Sequence, residues 1–156
     1  MAREFKNIDA FLKEDLENHF GERLEVVITR PHRVLITINR DYILDVVRYL
    51  REEHGLIYIS TITGLDAGDH FEMLYHFLLQ GTSFTVKAII PYDDPVVDSI
   101  TPIIPAALLY ERETHDLLGI YPKGHPNPTR QVLPEDWPEG EYPLRKSWPP
   151  DERGVR

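Results

Sequence analysis

The chain has 156 residues, 42% of them hydrophobic, with 26 acidic against 17 basic side chains and a formal net charge of −9. That length carries one domain with one hydrophobic core, and the acidity argues against a nucleic-acid partner or direct docking on an anionic membrane face. The absence of cysteine excludes disulfides, thiolate-held iron–sulfur clusters, cysteine-ligated zinc and cysteine nucleophiles.

The first twenty residues are charged throughout and lack the apolar core of a signal peptide. No segment reaches the roughly 20 apolar residues needed to cross a bilayer. Residues 8–20 read as an amphipathic helix with Ile8, Phe11, Leu12, Leu16 and Phe20 on one face and Gly21 as its stop. Two β-rich runs, 24–29 and 33–38, flank Arg30-Pro31-His32 and suggest a hairpin. A second helix is predicted over 41–54, capped by Asn39 or Asp41, lined by Tyr42, Ile43, Val46, Val47 and Leu50, and ended by Gly55.

Residues 56–63 alternate and are β-branched, so they read as a strand, and 64–69 read as a turn. The segment 70–80 fits both periodicities. Its place between turn signals favours a strand, making 56–91 an antiparallel three-stranded meander. Asp93-Asp94-Pro95 ends the sheet. A third helix starts near Pro102 or Pro105, where proline is tolerated, and runs to Leu118 before Gly119. Ile104, Leu108, Leu109, Leu117 and Leu118 give it a broad apolar side. The order α-β-β-α-β-β-β-α predicts an α+β fold, an antiparallel or mixed sheet with helices packed on it.

Residues 1–121 are expected to form this domain and 122–156 an extended C-terminal docking arm. The arm has too many prolines and glycines to build its own helix or sheet. It nevertheless carries Trp137, Tyr142, Leu144 and Trp148, a density of apolar groups that disordered tails lack. It is therefore expected to be ordered against another protein.

Few catalytic patterns are present: no phosphate-cradling GxxxxGK[ST] loop, no GxGxxG, no GxSxG and no HExxH. Glu113, His115, Asp116 and His125 lack the spacing of a helical zinc site, and helix-surface ion pairs explain them as well. Glu111, Glu113 and Asp116 could serve as general acids or bases only if buried and tuned. Arg112 and Asp116 stand four apart, as do Glu111 and His115, and an Arg112–Asp116 ion pair is expected. A charge run of this kind is usually a solvated helix face. Here Arg130, Trp137, Arg145, Lys146 and Trp148 follow it, and tryptophan and arginine are enriched at interface hot spots.

The segment ERETHDLLGIYPKGHPNPTRQVL resembles the signature of the C-type chain of NADH–quinone oxidoreductase, in the respiratory complex I family. Glu111, Arg112, Glu113, Asp116, Leu117, Leu118 and His125 match in register. Arg130, Val132 and Leu133 match after one extra residue. Pro143-Leu144-Arg145-Lys146 matches a further Pro-Leu-Arg-Lys element, with Ser147-Trp148 where the family has an acid and an aromatic. The resemblance implies a non-catalytic subunit of a complex I-like, membrane-bound nickel–iron hydrogenase-like or sulfur-reducing complex, peripheral on the cytoplasmic side of the membrane. It implies no cofactor on this chain; iron–sulfur clusters, and nickel–iron in a hydrogenase, would belong to partner subunits. The expected partners are a hydrogenase-large-subunit-like chain and a neighbouring cluster-bearing small subunit. The expected interface residues are Glu111, Arg112, Glu113, Asp116, His125, Arg130, Trp137, Arg145, Lys146 and Trp148. The competing readings are a small enzyme using Glu113, Asp116 and His125, and a free-standing binding module.

Overall fold

The computed structural model describes residues 8–148, so the ends of the expected domain and arm, residues 1–7 and 149–156, lie outside the described residues. Helix α1 (Asp9–Phe20) leads into the hairpin β1 (Leu24–Arg30) and β2 (Arg33–Asn39). A turn of 3₁₀ helix then opens α2 (Ile43–His54). Strands β3 (Ile59–Asp66), β4 (His70–Leu79) and β5 (Thr82–Pro91) form the expected meander. The sheet has five strands in the order β1-β2-β5-β4-β3. It is mixed, because β2 and β5 are parallel while the other neighbours are antiparallel. The α+β reading is correct.

Strand alternation sets the layers. On β4, Phe71, Met73, Tyr75 and Phe77 are buried, and on β5 so are Phe84, Val86, Ala88 and Ile90. Leu12, Leu16 and Phe20 of α1 and Ile43, Val46, Val47 and Leu50 of α2 complete the same core. Phe11 departs from the expected apolar face and is 61% exposed. It falls outside the stripe of Leu12, Leu16 and Phe20, which four-residue steps bring onto one side of the helix. Asp9, buried in the first turn of α1, accepts hydrogen bonds from His32 N and Thr82 Oγ1, both at 2.7 Å. It thereby ties the helix to two sheet turns.

Strand β3 begins three residues later than expected. Gly55 adopts φ 69° and caps α2, and Leu56 N bonds back to Leu50 O at 3.0 Å. That helix termination consumes the residues expected to start the strand. At the other end β3 continues through Gly64 to Asp66, because Gly64 pairs with Met73 and Asp66 with Phe71. The expected turn shrinks to residues 67–69.

Two short parallel strands were not expected: β6 (Val96–Asp98) and β7 (Tyr121–Lys123). Between them a 3₁₀ turn, Pro105–Ala107, precedes α3 (Leu108–Leu118). Helix α3 packs on β3 at Gly64, where a Cβ would lie 2.5 Å from Leu118 Cδ1 and 3.2 Å from Thr114 Cγ2. A side chain there would displace the Leu118 side chain and crowd Thr114. The boundary expected after Tyr121 falls inside β7, and the described part of the arm lies against its own domain.

Candidate functional site

Helix α3 presents three different faces. Ala107, Glu111, Thr114 and Leu118 recur at helical spacing and are all buried. Arg112 and Asp116 form a second stripe facing residues 129–133. Leu109, Glu113 and Leu117 form a third, on which Leu109 is 53% exposed, Leu117 half-buried and Glu113 exposed. Leu109 is thus not part of the core expected for it.

Glu111 is a buried carboxylate held by the loop that leads to its own helix. Its Oε2 accepts hydrogen bonds from Ser99 Oγ at 2.5 Å and Thr101 Oγ1 at 2.8 Å, and its Oε1 accepts one from Ile100 N at 2.7 Å. His125 Nε2 lies 3.9 Å from Oε2, with both side chains fully buried. Glu111 and His115 stand four apart, but Glu111 makes this tertiary contact instead. Burial pushes the Glu111 carboxyl above the usual range, against the pull of its hydrogen bonds to Ser99, Ile100 and Thr101 and of His125. The His125 ring is also bonded at both nitrogens, Nε2 to Leu108 O at 2.9 Å and Nδ1 to Asn127 N at 3.0 Å.

The expected Arg112–Asp116 ion pair does not form. The two residues grip the backbone of the arm instead. Arg112 donates from Nε to Thr129 O at 2.9 Å, and from Nη2 to Arg130 O at 2.8 Å and Thr129 Oγ1 at 3.1 Å. Asp116 Oδ2 accepts three backbone N–H groups, from Gln131 at 3.1 Å and from Val132 and Leu133 at 2.8 Å. A cationic donor therefore meets the arm's carbonyls and an anionic acceptor meets its amides, which is worth more than a screened i, i+4 pair. Burial raises the Asp116 carboxyl, but the amides of Leu133, Val132 and Gln131 and the charge of Arg130 outweigh it and hold the group below the ordinary range.

Further along, Arg130 Nη1 donates to Pro134 O at 3.0 Å and Trp137 O at 2.6 Å. The indoles of Trp137 and Trp148 pack together with centroids 5.7 Å apart. The guanidinium of Arg145 lies 4.4 Å from the Tyr142 ring centroid and 5.0 Å from that of Phe71, and Nε donates to Leu118 O at 2.7 Å. Gly119, at φ 73°, makes room for this stack: a Cβ there would meet Tyr142 at 2.5 Å and Arg145 Nη2 at 2.6 Å. Asp66 Oδ2 accepts Lys146 N at 2.8 Å, and Leu144 N bonds to Leu117 O at 3.1 Å. The Lys146 side chain stays exposed.

The structure thus brings Glu111 to His125 and joins Arg112, Asp116 and Arg130 around the arm. Glu113, Asp116 and His125 do not converge: the first is exposed, the second is spent on three amides and the third is buried beneath α3. Asp66, Ser99, Thr101, Tyr142 and Tyr92, whose ring centroid lies 5.8 Å from the Arg145 guanidinium, also build the site, and sequence reasoning misses them as site residues. Glu111 on the stripe of Ala107, Thr114 and Leu118 is the available signal for a buried acid. No comparable signal marks Asp66. Among the described residues no group of three or more His, Asp or Glu is placed to hold a metal, and no helix is long and apolar enough to cross a membrane.

The architecture is that of an α+β domain whose signature helix clasps its own C-terminal segment. Residues 36–154 match the family described as respiratory-chain NADH dehydrogenase, 30 Kd subunit, and the chain belongs to that family. Hydrogenase-4 component G of Escherichia coli is 37% identical over 122 residues, which are 74% of this chain and 22% of that protein. Membrane-bound hydrogenase subunit beta of Pyrococcus furiosus is 34% identical over 128 residues, 79% of this chain and 72% of the relative. The C-type chain of NADH-quinone oxidoreductase from Saccharopolyspora erythraea is 32% identical over 134 residues, 81% of this chain but 53% of the relative. Among solved structures, a chain of the membrane-bound sulfane sulfur reductase, an archaeal respiratory membrane complex, superposes with a TM-score of 0.79 at 28% identity, covering 92% of this chain and 86% of that one. A trypsin-resistant fragment of Nqo5 shares the fold, with a TM-score of 0.65 at 22% identity over 74% of this chain and 98% of the fragment.

Proposed function

We propose that this chain is a non-catalytic subunit of a membrane-anchored oxidoreductase complex of the complex I or membrane-bound hydrogenase type. It docks through the outer stripe of α3 and the arm onto a hydrogenase-large-subunit-like partner, next to a cluster-bearing small subunit. Electron transfer coupled to ion translocation is then the work of the assembly, with the redox centres in partner chains. The chain sits peripherally on the cytoplasmic side, held there by its partners.

The observation that carries this reading is the division of labour within the signature. Glu111, Arg112, Asp116 and His125 are spent inside the chain, so the segment's outward display is left to Glu113 and its apolar neighbours. Leu109 and Leu144, 53% and 57% exposed, stand on the outer side of α3 and on the adjoining arm. An apolar patch with an exposed acid beside it suits a protein interface. The C/D-type chain of NADH-quinone oxidoreductase from Erwinia tasmaniensis is 33% identical over 150 residues, which are 86% of this chain and 24% of that one. Its C/D designation supports contact between a domain of this kind and a further part of the assembly.

The test is affinity purification of the tagged full chain from native membranes. Stoichiometric recovery of a hydrogenase-large-subunit-like protein, lost on Leu109→Asp or Leu144→Asp while circular dichroism is unchanged, is the expected result. Recovery of the chain alone from the soluble fraction would return it to a free-standing module.

A further inference from the structure

Between α3 and the arm lies a cavity of about 370 Å³ that the clasp does not fill. Its charged and polar wall comprises His115, Asp116, Arg130, Glu139 and Glu141, and prolines and Tyr142 supply apolar wall. Three carboxylates thus face one guanidinium. That guanidinium is already committed, because Arg130 bonds to the Pro134 and Trp137 carbonyls and lies 3.9 Å from Asp116 Oδ1. It has little left to offer an anion. The carboxylates are less committed, and Glu141 accepts only a long hydrogen bond at Oε2, from Trp148 Nε1 at 3.4 Å. Asp116 gives Oδ2 to the arm's amides, while Oδ1 has only the long contact to Arg130. Glu139 is exposed and makes no hydrogen bond or ion pair with any described residue. His115, on the same wall, is half-buried, and its Nδ1 is out of reach of solvent and has no hydrogen-bond partner. Burial, the largest influence on that ring, pulls its pKa below the ordinary value. In a neutral ring with the proton on Nε2, Nδ1 is an acceptor.

The wall therefore offers acceptors and negative charge at its polar positions and carbon elsewhere. We propose that this cavity receives one lysine or arginine side chain from the subunit on which the chain docks. A long basic side chain matches both demands, lining its methylene stem on the prolines and Tyr142 and presenting only donors at its tip. The inference rests on the docking reading above and names the chemistry of one contact within it.

The test uses the full tagged chain expressed in its native membranes, with wild type, Glu139→Gln and Glu139→Lys compared at equal expression. Glu139 is exposed, so all three should melt together as isolated chains. Glu139→Gln should lower co-purification of the partner about threefold and Glu139→Lys about tenfold or more, since like charges across an interface are strongly disfavoured. Photocrosslinking from p-benzoylphenylalanine placed at Pro138, on the cavity wall, should capture a partner peptide with lysine or arginine at or beside the attachment point. Equal co-purification by all three forms overturns the inference while leaving the docking reading standing. So does capture of an acidic or wholly apolar peptide. If the wild-type chain itself brings down no membrane complex, the docking reading fails and the cavity proposal falls with it.

Discussion

Removing the carboxylate of Asp116 should release the arm from α3. In Asp116→Ala three backbone N–H groups, those of Gln131, Val132 and Leu133, lose their acceptor together. A hydrogen bond to a charged group contributes about 1.5–3 kcal/mol. The three share one oxygen, and Gln131 and Val132 are exposed, so water replaces part of what is lost. The net cost is therefore nearer one or two such bonds than three, about 2–4 kcal/mol. At roughly 2–4 °C per kcal/mol for a chain of this size, the melting temperature should fall by about 4–16 °C. Hydrogen exchange gives the local readout: amides 131–133 should lose protection while those of β4 and β5 keep theirs. Arg112→Ala should free the same segment from its carbonyl side. The double variant should cost less than the sum of the two, because either loss already frees the segment. The folded pKa of Asp116 is depressed, so its contribution is present above the ordinary carboxylate pKa and lost as pH falls through the lower folded value. Asp116→Asn should lack that acid-side loss. Unchanged exchange at 131–133 in Asp116→Ala would refute the clasp, and strictly additive costs would refute its acting as one unit.

Glu111→Ala should destabilise by about 2–4 kcal/mol in urea titration, since it leaves the buried donors of Ser99, Ile100 and Thr101 without their acceptor. Glu111→Gln should be milder and should change the pH dependence: burial raises the folded pKa, so the stability this group gives in acid declines as pH rises from the ordinary glutamate range through the folded value, and glutamine removes that slope. Gly119→Ala should cost at least the roughly 1–2 kcal/mol of a left-handed non-glycine residue, because its Cβ would also strike Tyr142. Arg145→Lys should weaken the arm as well, since lysine keeps the charge over the rings but loses the Nε bond to Leu118 O; a trypsin cut after the exposed Lys146 should appear sooner. Truncation after Tyr121 should cost more than any of these changes, because it cuts β7 and removes His125 from Glu111. A melting temperature within a few degrees of the full chain would contradict that expectation.

The elements legible in the sequence are those whose signal is local. Alternation marks β4 and β5, the turn residues mark the β1–β2 hairpin, and Gly55 and Gly119 mark the helix ends because only a residue without Cβ sits easily at their left-handed φ. Strands β6 and β7 carry three residues each, too few for a period to show, and one has a proline inside it. Their pairing is decided by α3 bringing the two segments side by side. The signature is legible as a motif but not as a geometry. Spacing of four says that Arg112 and Asp116 can meet, yet it does not count the competing partners. A chain segment running past the helix offers carbonyls at 129 and 130 and amides at 131–133, and a polarised backbone takes both side chains away from each other. The same competition explains Arg145, whose guanidinium finds three aromatic rings and the helix-terminal carbonyl of Leu118 within its own fold. The arm's apolar and basic residues do need something to pack on, as their density suggests. Much of what they pack on is the chain itself, so the docking proposed above falls to the outer face of α3 and to the cavity beside the arm.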